Sequence, residues 1–391
     1  MVKIIRYNPF NPQVPALPEF FVGRNKELEE FQKNLAQTMH GSPMNMSITG
    51  NRGMGKTSIL AKMEDLARKN RCLVFRMSNY EGSVSDIPTL TDYLVLGIKQ
   101  EMLSNSMLME KISGIGDWIK TLKPEFSYKE FSLRIEEKKI AAQSILRKNF
   151  VGIWNKVRDD YSAIVVLIDE AEALERVEGA LEFLRETFQR LASEAKYSIV
   201  LSGKLNFPER MSESFSPLNR FFPTSALENF TKHEISQYID RKLSTVGVHC
   251  DESVKMKIFE KSEGHPYVVV SMCAHVFDQL KENENRLTES HYGMASPRIL
   301  FQLEKDFFNP MFHPISPKAK KVIIKVAKSV KRKEFLFKDV VGALHMKSTE
   351  VAPYIQEAVR KGILNKPRRA NYHFFHGLFM EFVKGKNEDD F

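Results

Sequence analysis

The most apolar stretch of the chain, "SAIVVLIDEAEAL" (162–174), is β-branched through its centre and ends abruptly in acids. That is how a central parallel strand reads when both of its faces are covered. Alternation in "CLVFRMS" (72–78) predicts a second strand, "YSIVLSG" (197–203) repeats the pattern more weakly, and "RFFPTSAL" (220–227) predicts a further short one. "MNMSIT" (44–49) reads as a strand running into a glycine-rich turn, with "SILAKMEDLARK" (58–69) as the amphipathic helix beyond it. "FVGRNKELEEFQKNLAQTM" (21–39) is a short turn leading into a helix, residues 90–121 are mostly helical, and another helix runs to about Asp159. Period-two alternation in "FSYKEFSLRIEE" (126–137) predicts a small hairpin between helices. Strands alternating with helices predict a doubly wound α/β sheet over roughly residues 20–230.

Beyond Thr231 the strand signal stops and helices continue to about Asn309, followed by the proline-rich boundary "NPMFHPISP". The remainder predicts helices at 316–330, 336–345 and 349–361, then two strands in "ILNKPRRANYHFF" around a basic turn, which is a winged-helix order. At the other end, Pro9, Pro12, Pro15 and Pro18 hold residues 8–19 as an extended arm.

Composition narrows the class. Charged residues make up 27% and no apolar run approaches the ~18 residues of a membrane helix, so a soluble, membrane-free protein is expected. Cys72, Cys250 and Cys273 are too few and scattered for a disulfide framework or metal site, and the N-terminus lacks a secretory pattern; a reducing cytoplasmic setting is expected. The net charge of +9 is localised: Met311–Phe391 holds 17 Lys and Arg against 8 Asp and Glu, so the rest of the chain is balanced. Such a bias points to an anionic partner for the C-terminal part, nucleic acid before membrane, with a solvated lysine-rich surface as the alternative.

The chemistry is concentrated in "GNRGMGKTS". Gly50, Gly55, Lys56 and Thr57 satisfy G-x-x-x-x-G-K-[ST], in which backbone N–H groups curl around phosphate, the lysine reaches the terminal phosphates and the threonine hydroxyl ligates Mg²⁺. Gly50, Asn51, Arg52, Gly53, Met54, Gly55, Lys56, Thr57 and Ser58 are therefore the candidate nucleotide contacts, with phosphate on the N-terminus of the following helix. The second half of such a site is an acid ending a buried neighbouring strand. Asp169 ends "IVVLI" in that way and would hold Mg²⁺ through water, while Glu170 beside it can polarise the attacking water. Acids capping the next helix are the plainer reading of this pair. Ser202, ending "YSIVLSG", is a candidate γ-phosphate sensor or simply a strand terminus. Arg220 is a candidate arginine finger for a neighbouring subunit, hence for a homo-oligomer, or else a structural ion-pair residue.

With these motifs in sequence order, the chain resembles the archaeal-type P-loop ATPases related to the STAND and origin-recognition branches of the AAA+ class. "FVGRNKELEEF" is similar to the box that opens such domains, "VVLIDEAEAL" to their acidic strand, "YSIVLSG" to their sensor strand and "EGHPYVV" to the G-x-P motif of their helical lid, together spanning about residues 20–275. The resemblance implies an α/β P-loop NTPase with a helical lid and a C-terminal winged helix: residues 1–20 as arm, 21–230 as ATPase core with an insertion at about 105–145, 231–310 as lid and 311–391 as winged helix. It implies ATP or ADP with Mg²⁺, adenine contact near Phe21, Val22, Gly23 and Arg24, and lid contact near Pro266. It also implies a nucleotide-touching histidine late in the winged helix; "FFHGLFMEF" places His376 there, with Gly377 where an aspartate is usual.

In the helix at 349–361, Thr349 can cap, Val351, Ile355, Val359 and Ile363 form a core stripe, and Glu350, Tyr354, Glu357 and Arg360 face outward. Lys318, Lys320, Lys321, Lys325 and Lys328 of the first helix, with Lys366, Arg368 and Arg369 of the wing, then suit phosphate contact better than base reading. The expected function is an ATP-binding, ATP-hydrolysing switch that couples nucleotide state to assembly or DNA engagement. The alternative is a nucleotide-bound regulatory scaffold with little turnover whose winged helix binds protein.

Overall fold

Five strands, β1 (Met46–Thr49), β2 (Cys72–Ser78), β3 (Ala163–Asp169), β4 (Tyr197–Gly203) and β5 (Thr224–Ala226), form a sheet of order β2-β3-β4-β1-β5 in which every neighbouring pair is parallel. The computed structural model describes residues 7–78, 84–112, 114–122, 135–208, 211, 216–368 and 370–388. All residues of β3 and β4 are buried. For β3 this explains the unbroken apolar run, since each covered Val, Ile or Leu contributes about 1.5–3 kcal/mol. β4 gives the weaker signal because two of its inward positions are serines with assigned partners: Ser198 Oγ donates to the Met44 carbonyl at 2.6 Å and Ser202 Oγ to Asp169.

The chain divides into two units, one made of Leu17–Gly50 and Lys56–Leu227, the other of Met1–Ala16, Asn51–Gly55 and Glu228–Phe391. The first holds the sheet and helices α1 (Asn25–Met39), α2 (Lys56–Lys69), α3 (Ile87–Ser104), α4 (Ser106–Lys111), α5 (Ile115–Thr121), α6 (Ile135–Val157), α7 (Ala180–Leu191) and α8 (Leu218–Phe221). Leu108, Ile115 and Ile119 of α4 and α5 are buried in the same hydrophobic core as α3, α6 and the sheet. Most of the expected hairpin, 126–134, lies outside the described residues, and 135–137 belong to α6. The strand expected at 220–227 begins only at Thr224; Arg220 and Phe221 close α8 instead.

The second unit contains α9 (Lys232–Ser244), β6 (His249–Cys250), α10 (Glu252–Ser262), α11 (Pro266–Phe277), β7 (Arg286–Leu287), α12 (Glu289–Leu303) and α13 (Asn309–Phe312). The two-residue β6–β7 pair is the one departure from the all-helical expectation there, too short to register as alternation. α9 starts on a capping box in which Thr231 and Glu234 satisfy each other's end groups. The N-terminal arm is strapped to these helices: Asn8 donates to the Ala274 carbonyl at 2.9 Å and to Asp278 at 2.8 Å, and the buried Phe10 ring packs on Tyr238 and Phe277.

The same unit ends in α14 (Pro317–Ser329), β8 (Glu334–Leu336), α15 (Phe337–Leu344), α16 (Ser348–Arg360), β9 (Leu364–Arg368), β10 (Asn371–Phe374) and α17 (Gly377–Lys384). Three helices and an antiparallel sheet of order β8-β10-β9 make the winged helix. α16 begins one residue before Thr349, with the Glu350 carboxylate accepting the Lys347 N–H at 2.9 Å, so Thr349 is not the cap. Val351, Ile355 and Ile363 are buried as expected, joined by Ala358.

Candidate nucleotide site

The loop after β1 has the geometry its glycines demand. The Gly50 N–H donates to the Gly203 carbonyl of β4 at 3.2 Å, and Gly53 and Gly55 adopt φ of +79° and +85°, a region that strains any side chain. Lys56 opens α2, so the helix N-terminus and its backbone N–H groups directly follow the loop. The Lys56 ammonium lies back across the loop and donates to the Gly50 carbonyl at 2.8 Å. Burial lowers its pKa, while Glu172 and Asp169 favour its charge. Within the second unit, the Tyr267 N–H at the start of α11, next to Pro266, donates to the Gly53 carbonyl at 3.2 Å. The Asn51 amide donates to Asn365 of β9 at 3.3 Å.

Because β4 lies between β1 and β3, the ends of these strands stand side by side at the usual ~4.8 Å spacing. Asp169, 4% exposed, closes the gap. Its Oδ2 accepts the Thr57 hydroxyl at 2.7 Å, and its Oδ1 accepts the Ser202 hydroxyl at 2.9 Å and the Glu170 N–H at 3.0 Å. The sequence-derived set Lys56, Thr57, Asp169, Glu170 and Ser202 is therefore brought together. Ser202 orients Asp169 and directs its hydroxyl there, fully buried, rather than outward as a sensor. Glu170 is exposed and takes a left-handed backbone, φ 54°. Burial, then the neighbouring Asp169 and Glu172, raise its pKa and make it a stronger base.

Sequence reasoning missed two members of this cluster. Glu172, two residues past Glu170, has the largest share in favouring the Lys56 charge, and its Oε1 lies 3.7 Å from the ammonium of Lys204, the residue that follows β4. A third acid in "DEAEAL" and a lysine directly after "VLSG" were the available signals. Thr57 and Asp169 fit Mg²⁺: both offer hard oxygen within one hydrogen bond of each other. Among the described residues no group of three or more His, Cys, Asp or Glu is placed to hold a metal ion.

Residues 21–202 match the family model described as "AAA ATPase domain". Over that span the chain is similar to AAA ATPase domains. Among solved structures, a Walker-type ATPase of Pyrococcus abyssi superposes on 96% of this chain and 99% of its own with TM-score 0.63 at 13% identity. The Aeropyrum pernix ORC2 protein in ADPNP–ADP complexes superposes on 94% of each chain with TM-score 0.60 at 12% identity. Both likenesses concern the fold. In sequence, an uncharacterized HTH-type transcriptional regulator of Methanocaldococcus jannaschii is 24% identical over 291 residues, 69% of this chain and 66% of that relative, so just under two thirds of its length is spanned.

Other candidate residues fall near the edges of the matched span or beyond it. Val22 and Arg24 are each 7% exposed, and Arg24, with φ 62°, leads into α1. Arg220 is exposed on α8 and forms no ion pair with another described residue. His376 is fully buried, its Nε2–H donating to the Ser262 carbonyl at 2.9 Å and its Nδ1 accepting the Leu378 N–H at 3.1 Å, so both ring nitrogens serve the protein's own backbone. Beside it, Glu263 accepts the Gly377 N–H at 3.0 Å and the Lys333 ammonium, fastening the "EGHP" loop to the winged helix.

On the winged helix, Lys318, Lys325, Lys328, Lys366 and Arg368 are exposed and Lys321 half-buried; Lys325 pairs with Glu388 at 3.4 Å. Lys320 departs from the expected basic face: it is 7% exposed, its ammonium 5.9 Å from the Phe312 ring centre, because it falls on the core side of α14. Arg369 lies outside the described residues. Glu357 is also not an outward acid. It accepts the N–H and hydroxyl of Ser316 at 2.7 and 2.8 Å, leaving Ser348, Thr349, Glu350, Pro353, Gln356 and Arg360 as the exposed residues of α16.

Proposed function

We propose that the protein is an ATP-binding, ATP-hydrolysing switch whose nucleotide state governs assembly or DNA engagement through the basic winged helix. The carrying observation is the Thr57–Asp169 bond, which joins the end of the phosphate loop to the acid of β3, with Glu170 next in the chain. In this reading the N–H groups of Gly50–Gly55 and the α2 N-terminus bind the phosphates, and Lys56 offsets charge on the terminal ones. Thr57 and Asp169 hold Mg²⁺, which when bound neutralises the charge developing on the transferred phosphoryl group. Glu170 accepts the proton of the attacking water, and Ser202 keeps Asp169 in register. Phe21, Val22, Gly23 and Arg24 contact adenine, and Pro266 brings the lid to the nucleotide. Arg220, exposed and free of ion pairs with described residues, supplies positive charge to a neighbouring subunit's terminal phosphate.

For the winged helix, the withdrawal of Glu357 into a bond with Ser316 favours DNA over a protein partner, because one of the two acids expected to repel phosphates is taken up internally and Glu350 alone of the pair stays exposed. The Aeropyrum ORC2 protein binds adenine nucleotides and the Methanocaldococcus relative is named a transcriptional regulator; both support the same combination here. The test is duplex affinity with ADP and with a slowly hydrolysed ATP analogue. A nucleotide-dependent difference supports the switch, and identical affinity with tight nucleotide binding overturns the coupling.

A further inference from the structure

We propose that the N-terminal arm is a short, stiff link between the helical lid and the nucleotide-contacting part of the core, and that its docking on the lid sets how fast ADP leaves. The inference rests on the nucleotide reading above.

The link is anchored at both ends, each within its own unit. At the first end the Tyr7 hydroxyl donates to Thr245 at 3.2 Å, the Asn8 amide bonds the end of α11 at Ala274 and Asp278, and the Asn8 Oδ1 accepts the Phe10 N–H at 2.9 Å. Phe10, 3% exposed, lies against Tyr238 of α9 and Phe277 of α11, with ring centres 5.9 and 6.3 Å away. Burying a phenylalanine ring biases the arm toward this seat by on the order of tenfold to a hundredfold. At the second end Pro18–Phe20 form a single 3-10 turn, and the Lys62 ammonium of α2 donates to the Pro18 carbonyl at 3.2 Å.

Between the anchors no helix or strand forms from Asn11 to Leu17, and Gln13, Val14 and Pro15 are exposed. Phe10 and Pro18 are eight residues apart, so the link reaches at most about 29 Å. Pro12 and Pro15, with fixed φ, make it stiffer than an ordinary loop. The boundary between the two units falls inside it, at Ala16 and Leu17; apart from the phosphate loop, the other passage between them is at Leu227 and Glu228. The arm is thus a second linkage in parallel with that passage.

The elements it joins are those that the nucleotide would touch. α11 begins at Pro266, the proposed lid contact, and α2 begins at Lys56 and Thr57. Phe21–Arg24, the proposed adenine contact, directly follows the second anchor. Release of product requires the lid to move off it, and a docked arm of limited reach restrains that movement.

The experiment loads the full chain with a fluorescent ADP in Mg²⁺ and follows its dissociation during a chase with unlabelled ADP. Wild type, Phe10→Ala and Val14→Ser are compared with a chain carrying about twelve flexible Gly and Ser residues inserted between Gln13 and Val14. The inserted chain keeps both anchors and only lengthens the link, so its melting temperature stays close to that of wild type. Its ADP dissociation is expected to be faster by at least about threefold, because the effective concentration of one anchored end near the other falls. Phe10→Ala is expected to accelerate release on the order of tenfold, and Val14→Ser, exposed in the link, to leave the rate unchanged. An inserted chain that releases ADP at the wild-type rate, or a Val14→Ser chain as fast as the inserted one, overturns the link and leaves the nucleotide reading standing. Wild type that binds no nucleotide overturns both.

Discussion

The hydroxyl of Thr57 donates to the carboxylate of Asp169 at 2.7 Å, tying the first turn of α2 to the end of β3 across the width of β4. Removing it with Thr57→Ala leaves Asp169 short of a donor in a buried setting, which costs about 1–3 kcal/mol of stability. In the proposed function it also removes an Mg²⁺ ligand. Affinity for the ATP analogue should then fall about tenfold or more in Mg²⁺ and little in EDTA, as read by nucleotide titration beside a denaturant melt.

Gly264 precedes the "HP" of the lid motif with φ +75°, and a Cβ there would stand 2.2 Å from the Phe230 carbonyl oxygen. Neither strain nor clash can be relieved by a side-chain rotation, because the obstacle is backbone. Gly264→Ala is expected to lower the stability of the second unit by about 2 kcal/mol or more. Gly293→Ala, with open space around the new carbon, is the control, and thermal melts of the two should separate clearly.

Burial holds the His376 imidazole below its ordinary value of 6.5, against the pull of Glu263. Since the folded-state pKa is the lower one, this residue's contribution is whole above about pH 6.5 and declines as pH falls below it toward the folded value. Glu263, which burial would raise, is instead held low by Lys333 and then by His376, so its contribution too is lost on acidification, below 4.5. Melting temperature should therefore drop from pH 7 to 5, and the drop should shrink in His376→Gln, whose overall stability is reduced. A pH-independent melt over that range would contradict the buried neutral ring.

If the winged helix grips DNA through phosphates, Lys318→Ala and Arg368→Ala should each reduce the slope of log affinity against log salt by about 0.9, with similar loss on every sequence tested. Lys320→Ala is expected to lower stability instead and leave the slope unchanged, because its ammonium faces Phe312. Absence of duplex binding at low salt would remove DNA from the account.

Much of this architecture was legible in the chain. β2, β3 and β4 coincide with runs whose apolar character needs no tertiary context, and the phosphate loop and its acid are fixed by spacing. What stayed hidden depends on partners distant in sequence. Lys320 reads like its neighbours until the core side of α14 is known, and Glu357 reads as an outward acid until Ser316 is seen to take it. Ser202 could be placed at a strand end but not aimed at Asp169. Lys204 and Glu172 lie 32 residues apart and are brought together only because β3 and β4 are adjacent in the sheet. His376 was marked by resemblance, yet its ring is committed to Ser262 and Leu378.

The central claim is that Glu170 activates water on a nucleotide held by Lys56. Phosphate release from Mg·ATP, measured with nucleotide binding for wild type, Glu170→Gln and Lys56→Ala, tests it most directly. The expected result is turnover by wild type, a fall of about 10²–10⁴-fold in Glu170→Gln with ATP still bound, and loss of binding in Lys56→Ala. Hydrolysis at the wild-type rate in both variants would contradict it.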